Sequence, residues 1–270
     1  MRDILSGGTF ARLPKPALAV ALPFFEYAPK PPLMTLATLA RFAKQLRGPL
    51  RCALVAPRST WLTSKGPLRA GPELDAGLDW LKRASDILQA TAIVLPTGAE
   101  LTTGERDSAL LAAFVERLKA TNRLVVVSPR GLWEAEHGVA FARKAGCVYG
   151  FDPLEDDAPE GEVVYARVHP MGARPRLTDG HLAQIAERLL RAEAEVSYVA
   201  VESELAARDA RRLHKALGEL SEELSAYAEL DDKDDDDDDD EDEDEDEDED
   251  SDEDEDEDSD EDEEQDEDER

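Results

Sequence analysis

The chain has 270 residues and a formal net charge of −33, with 64 acidic side chains against 31 basic ones. Residues 229–270 hold 36 of the acids and two of the bases, so residues 1–228, with 29 basic and 28 acidic side chains, are close to neutral. The sequence is therefore a globular body with an acidic appendage; a protein acidic throughout is excluded, and the body is too short for several enzymatic modules.

Residues 1–16 read as an irregular N-terminal segment, too few for a strand and a helix. The run Ala17–Phe25 behind Lys15 has the apolar character of a secretory core, but Asp3 and the bracketing Pro16 and Pro23 favour a buried strand over Ala17 to Leu22. Leu33, Leu36, Leu39, Ala40, Ala43 and Leu46 then fall at helical spacing, followed by a strand from Arg51 to Ala56. Leu74, Leu78, Leu81, Ile87 and Leu88 mark the next helix and Thr91 to Leu95 the next strand. Leu110, Ala113, Phe114 and Leu118 line a third helix, and strands follow at Leu124 to Ser128, Gly146 to Phe151 and Val163 to His169. Thr178 is placed to cap a helix bearing Leu182, Ile185, Ala186 and Leu189. A strand from Val196 to Val201 precedes a closing helix from about Ser203, with Leu213, Leu217, Leu220 and Leu224 on one face.

Seven strands alternating with helices argue for parallel pairing with helical crossovers. That number is close to the eight units of a (β/α)8 barrel, so the sequence predicts a TIM-barrel-like α/β domain over 17–228 that lacks its first β/α unit; an open doubly wound sheet is the alternative. Strand parity adds detail. Val164, Ala166 and Val168 share one face and suit the layer beneath the helices, which turns Tyr165, Arg167 and His169 into the barrel, with Arg167 and His169 at its carboxyl end.

The common phosphate-loop, nucleophile-elbow and zinc-helix signatures are missing from the sequence. Cys52 and Cys147 lie 95 residues apart inside predicted strands, where they read as small core hydrophobes in a reducing, cytoplasmic compartment. His137, His169, His181 and His214 show no ligand spacing, so no metal and no cofactor is expected. What remains is a candidate anion pocket of Arg58, Arg130 and Arg167, each at or just past a strand's carboxyl end. Asp152, Arg167 and His169 are the candidate catalytic residues, since acid–base work needs a histidine with a carboxylate in reach. The competing reading makes the arginines solvated loop charges, pairs Arg167 with a carboxylate, and gives His169 a structural place at the barrel mouth.

The order of several short stretches resembles the domain of unknown function 72 family, also called YecE-like. Val163-Val-Tyr-Ala-Arg-Val-His169 is similar to its Val-Tyr-x-Arg-x-His-Gly strand, and Leu177-Thr-Asp-Gly-His-Leu182 to the start of its next helix. Ala53-Leu-Val-Ala-Pro-Arg58, Ala92-Ile-Val-Leu-Pro96 and Ala207-Arg-Asp-Ala-Arg-Arg-Leu213 resemble further stretches in the same order. The resemblance implies a TIM-barrel-type fold with no agreed biochemical role. Departures mark a degenerate member: the second strand's acidic residue and asparagine are matched by Ala21 and Pro23, the third strand's lysine by Val55, and the paired asparagines after the last strand fall near Val201 and Glu202. The closing helix's asparagine falls on Asp209. Arg58, Asp152, Arg167 and His169 remain from the family pattern, with Glu26 and Arg130 as neighbours of unsettled register.

After Leu230 no apolar residue occurs, and a segment of this composition cannot bury surface to offset its ordering entropy, so residues 229–270 are expected to be disordered. Such a polyanion suits basic proteins as partners and repels nucleic acid. Because no apolar run approaches the roughly 20 residues of a spanning helix, no membrane partner is expected. The reading as a whole is a cytoplasmic, non-catalytic binding or interaction module; the alternative is an enzyme for a small anionic metabolite at the barrel mouth.

Overall fold

The computed structural model describes residues 3–48, 50–131, 133–169 and 177–234, with side chains described as far as residue 222. In chain order the elements are β1 (Asp3–Phe10), α1 (Pro16–Ala21), β2 (Phe24–Tyr27), α2 (Leu36–Gln45) and β3 (Cys52–Val55), then a small hairpin of β4 (Leu62–Thr63) and β5 (Gly66–Pro67). They continue with α3 (Pro72–Leu88), β6 (Ala92–Thr97), α4 (Glu105–Lys119), β7 (Leu124–Pro129), α5 (Ala135–Ala145) and β8 (Val148–Phe151). The last are β9 (Val163–Val168), α6 (Asp179–Arg191), β10 (Val196–Val201) and α7 (Ala206–Asp234). Eight strands close a barrel in the order β1-β10-β9-β8-β7-β6-β3-β2, every pair parallel.

The predicted barrel is therefore present, and the open-sheet alternative is excluded. The missing first unit is not missing. β1 occupies its place, hydrogen-bonded to β10 on one side and β2 on the other, so Asp3–Phe10 is a strand and not irregular chain. The segment read as the first strand, Ala17 to Leu22, is instead α1. Pro16 at its first turn has the φ a helix needs, alternate alanines favour the helix, and Ala19 and Leu22, three apart, are its buried contacts. Leu22 is extended before Pro23, and the chain enters β2 at Phe24. A strand and a helix fit in so few residues because α1 is only six residues long.

Strand parity sorts the core into two layers. Val164, Ala166, Val168, Val199 and Val201 face outward under the helices, while Phe24, Ala53, Val55, Val94, Val126, Tyr165 and Ala200 fill the lumen. Most sequence-read helices recur at their apolar faces, and Thr178 caps α6 by accepting from the His181 amide at 3.2 Å. Helix α5 and the β4–β5 hairpin were not anticipated, and β8 joins β9 without a helix. Two glycines let neighbours approach β1: a Cβ on Gly7 would sit on the Phe24 carbonyl, and one on Gly8 would lie 2.9 Å from Ala206 at the head of α7.

The chain divides into two units, Met1–Tyr227 and Ala228–Arg270. In the second, residues 228–234 are helical as the end of α7, and the expected disorder of the residues after them lies outside the described residues.

Candidate binding site at the barrel mouth

β9 supplies the centre of the mouth. Tyr165 fills the lumen, Arg167 follows on the same face, and His169 stands one residue beyond the strand, the alternation expected once Val164, Ala166 and Val168 pack outward. The Arg167 side chain is only 4% exposed, and a guanidinium so placed requires a counter-charge. Glu26 on β2, itself fully buried, provides it: Nε donates to Oε1 at 3.0 Å and Nη2 to Oε2 at 3.1 Å, a two-pronged pair. Two hydroxyls complete the carboxylate's shell, Tyr165 donating to Oε1 and Thr9 to Oε2, each at 2.8 Å. Burial works against the charge on Arg167, but Glu26 first, with Tyr165 and Glu202 behind it, together outweigh it and raise the pKa. Burial and then Glu26 push the Tyr165 hydroxyl well above its ordinary value, so it stays protonated as a donor.

Glu202, the first residue past β10, joins this pair to the rim. Its Oε2 lies 3.6 Å from Arg167 Nη2, 3.1 Å from Arg130 Nη2 and 3.0 Å from His169 Nε2. The histidine contact is close without being an aligned hydrogen bond, since Nε2 is buried and has no hydrogen-bond partner among the described residues. That contact first, with Arg167 and Arg130 behind it, holds the Glu202 carboxyl down at about 2 against the opposing effect of partial burial. On the other side of the ring, His169 Nδ1 is 3.1 Å from Asp152 Oδ2, which also accepts the His169 backbone amide at 2.9 Å. Asp152 Oδ1 accepts the Leu154 amide at 3.0 Å, and Arg188 of α6 donates to the Pro153 and Asp156 carbonyls, so the loop carrying Asp152 is tied down.

Four of the sequence-named residues, Arg130, Asp152, Arg167 and His169, thus form one chain of charges. Arg58 does not join it: the residue sits past β3 on the same rim, 64% exposed, and pairs with Glu100. Arg130 and Arg167 converge on Glu202, whereas Arg58 meets Glu100, so each arginine faces a carboxylate of the protein. The barrel's second strand, β2, carries an acid, Glu26; with α1 read as that strand, Ala21 had been set at its acidic position. Glu202, Tyr165 and Thr9 were not singled out as site residues, and Glu26 was named only as a neighbour of unsettled register. One signal was present, since Glu202 continues the inward parity of Tyr198 and Ala200.

Two cavities flank the charges. One, of about 680 Å³, opens between the ends of β1 and β2 and the head of α7, with Glu202 in its wall. The other, of about 400 Å³, lies over β7 and β8 and includes Arg130, Trp133, Asp152 and His169 together with Glu155 and Asp156. Burial, then Asp152, raises the Asp156 carboxyl above its usual range, as expected where carboxylates crowd. Cys52 and Cys147 lie in neither cavity; burial pushes both thiols up to about 12, which removes thiolate chemistry and fits their reading as core hydrophobes. Among the described residues no cluster of three or more His, Cys, Asp or Glu is arranged to hold a metal ion, and no helix is long and apolar enough to cross a membrane.

No protein-family model matches the sequence, and no curated protein matches it. Solved structures do. Two structures of a DUF72 family protein from Enterococcus faecalis V583 superpose with TM-scores of 0.61 and 0.63 at 15% and 14% identity. They cover 80% and 81% of this chain and 95% and 98% of that one. The TTHB071 protein from Thermus thermophilus matches with a TM-score of 0.52 at 16% identity, over 80% of this chain and 98% of that one. Identities this low establish the fold alone, and the fold is a TIM-type barrel like that of DUF72 proteins, in agreement with the resemblance read from Val163–His169 and its companion stretches.

Proposed function

We propose that the protein is a non-catalytic binding module whose barrel mouth takes a small anionic molecule and whose Asp/Glu-rich segment engages basic proteins. One observation carries the first part: the ring nitrogen that would do acid–base work, His169 Nε2, is sealed from solvent against Glu202, while Nδ1 is held by Asp152. A general base must reach the proton it takes, and here both nitrogens face the protein's own carboxylates. Charge composition carries the second part, because 36 acids in 42 residues attract cationic surfaces and repel phosphates.

The enzymatic alternative rests on the Asp152–His169 pair, which has the orientation of a carboxylate steering a histidine at the carboxyl end of a barrel strand. A metabolite thermal-shift screen on the full chain separates the two. A binding module gives ligands that raise the melting temperature and are recovered chemically unchanged after long incubation. Turnover of any stabilising ligand, lost in His169→Gln, establishes the alternative instead.

A further inference from the structure

The larger cavity has a composition of its own. Phe10 and Ala28 form apolar wall from the ends of β1 and β2, and Leu205 stands at its lip half exposed, at 50%. Leu205 and Val20 are the exposed large hydrophobics among the described residues, so a leucine left at an opening is conspicuous against the buried remainder. Three cations share the same lining: Lys30 after β2, and Arg208 and Arg211 one turn apart on α7. Among the described residues none of the three forms an ion pair, whereas nine other arginines do. Of the two carboxylates in the lining, Glu202 is committed to Arg130, Arg167 and His169, which leaves Glu204 as the single local counter-charge. The head of α7 is not itself the attraction, because the Ala206, Arg208 and Asp209 amides are spent on the Ser203 and Leu205 carbonyls. The smaller cavity, with Asp152, Glu155 and Asp156, has the opposite polarity.

We infer that the cavity between β1, β2 and α7 binds a free small molecule with an apolar body and an anionic head, a phosphate monoester or a carboxylate. The body lies against Phe10, Ala28 and Leu205, and the head meets Lys30, Arg208 and Arg211. A volume of about 680 Å³ holds a whole small molecule, and an unpaired cation trio beside an apolar wall selects amphipathic anions over inorganic ones. This deepens the binding reading above, on which it rests, by giving it a cavity whose unpaired cations lie beside the neutralised charges around Glu202.

The test uses the full chain and octyl phosphate below its micelle concentration, followed by isothermal titration. Saturable one-to-one binding is expected, with inorganic phosphate and neutral octyl glucoside each weaker by about tenfold or more. Arg208→Gln/Arg211→Gln should weaken octyl phosphate by at least about tenfold with an unchanged melting temperature, and Arg208→Lys/Arg211→Lys should recover much of the loss. Leu205→Ser should weaken it by roughly fivefold. Failure of octyl phosphate to bind, equal binding by the Arg-to-Gln pair, or binding only to vesicles carrying phosphatidic acid overturns the inference. If the thermal-shift screen yields ligands indifferent to these variants, the binding reading stands and this site falls. If octyl phosphate binds and releases inorganic phosphate, the site stands and the non-catalytic reading falls.

Discussion

The two ends of the barrel lumen are built from the same strands and solve opposite problems. Toward the amino ends, Phe24, Tyr165 and Tyr198 stack with ring centroids 5.2–6.1 Å apart over Leu5, Ala53 and Val94. Toward the carboxyl ends, Glu26, Arg167, Glu202, His169 and Asp152 replace hydrocarbon with charge. Tyr165 belongs to both, its ring in the aromatic stack and its hydroxyl on Glu26. The difference teaches where stability and where selectivity reside. The aromatic floor gains from any well-packed hydrophobe of the right volume, whereas in the charged half the buried pair of Glu26 and Arg167 tolerates no single removal, because each is desolvated against the other.

The contrast is broken most severely at Glu26. Glu26→Ala leaves the Arg167 guanidinium buried without its counter-charge and should cost about 3–5 kcal/mol in denaturant unfolding. Glu26→Leu/Arg167→Met should recover most of that loss, because a buried pair replaced by hydrocarbon is close to neutral. If Glu26→Ala unfolds no more easily than the native chain, the carboxylate is not the partner that the geometry makes it.

A smaller effect is expected where the two halves join. Tyr165→Phe keeps the ring in the floor and removes only the hydroxyl, leaving Glu26 with Arg167 and Thr9 as donors. The cost should be about 1–3 kcal/mol, the penalty of a buried charged acceptor losing one hydrogen bond. A change within error would mean that the upper half is held by the ion pair alone.

These two residues also mark how far the sequence reached. Arg167 and His169 were legible because Val163–Val168 alternates cleanly, and a period of two in a strand tells inside from outside. Their partners were not, since Glu26 and Arg167 lie 141 residues apart and closure of the barrel alone brings them together. Two local features hid the second strand as well. Pro16–Ala21 is too short for a helical period to show, and in β1 the Ser6, Gly7 and Gly8 at its centre separate Ile4 from Thr9 and Phe10 and break up the run of branched and aromatic residues that announces a strand. With Pro16–Ala21 read as a strand, Ala21 was set at a strand position, whereas the acid on β2 is Glu26. The cavity of Lys30, Arg208 and Arg211 draws on opposite ends of the chain and has no local signature at all.

At the rim the expected effects are electrostatic and modest. The Glu202 carboxyl titrates near 2, below its value of 4.5 in the unfolded chain, so the folded state binds its proton less readily. Its stabilising contribution is complete above about pH 4.5 and is lost as the pH falls toward 2. Since the side chain is 49% exposed, solvent screening should limit that contribution to about 1 kcal/mol or less. Glu202→Gln should flatten the acid limb of stability against pH in this window while leaving neutral-pH stability within about 1 kcal/mol. An unchanged acid limb would place the acid sensitivity elsewhere.

Arg58 gives the smallest expected effect and the sharpest contrast with Arg167. Both stand at the carboxyl end of a barrel strand and both pair with a glutamate, but Arg58 is 64% exposed and Arg167 4%. An ion pair in water gains little Coulomb energy beyond what hydration already supplies, so Arg58→Ala should change stability by less than about 0.5 kcal/mol. Arg167→Ala strands the Glu26 carboxylate and should approach the loss from Glu26→Ala. The same residue type at equivalent ends of two strands thus separates by burial alone. A loss above about 2 kcal/mol on removing Arg58 would mean that its pair with Glu100 is shielded from water in solution, and the charged half of the lumen would then extend to β3 and β6.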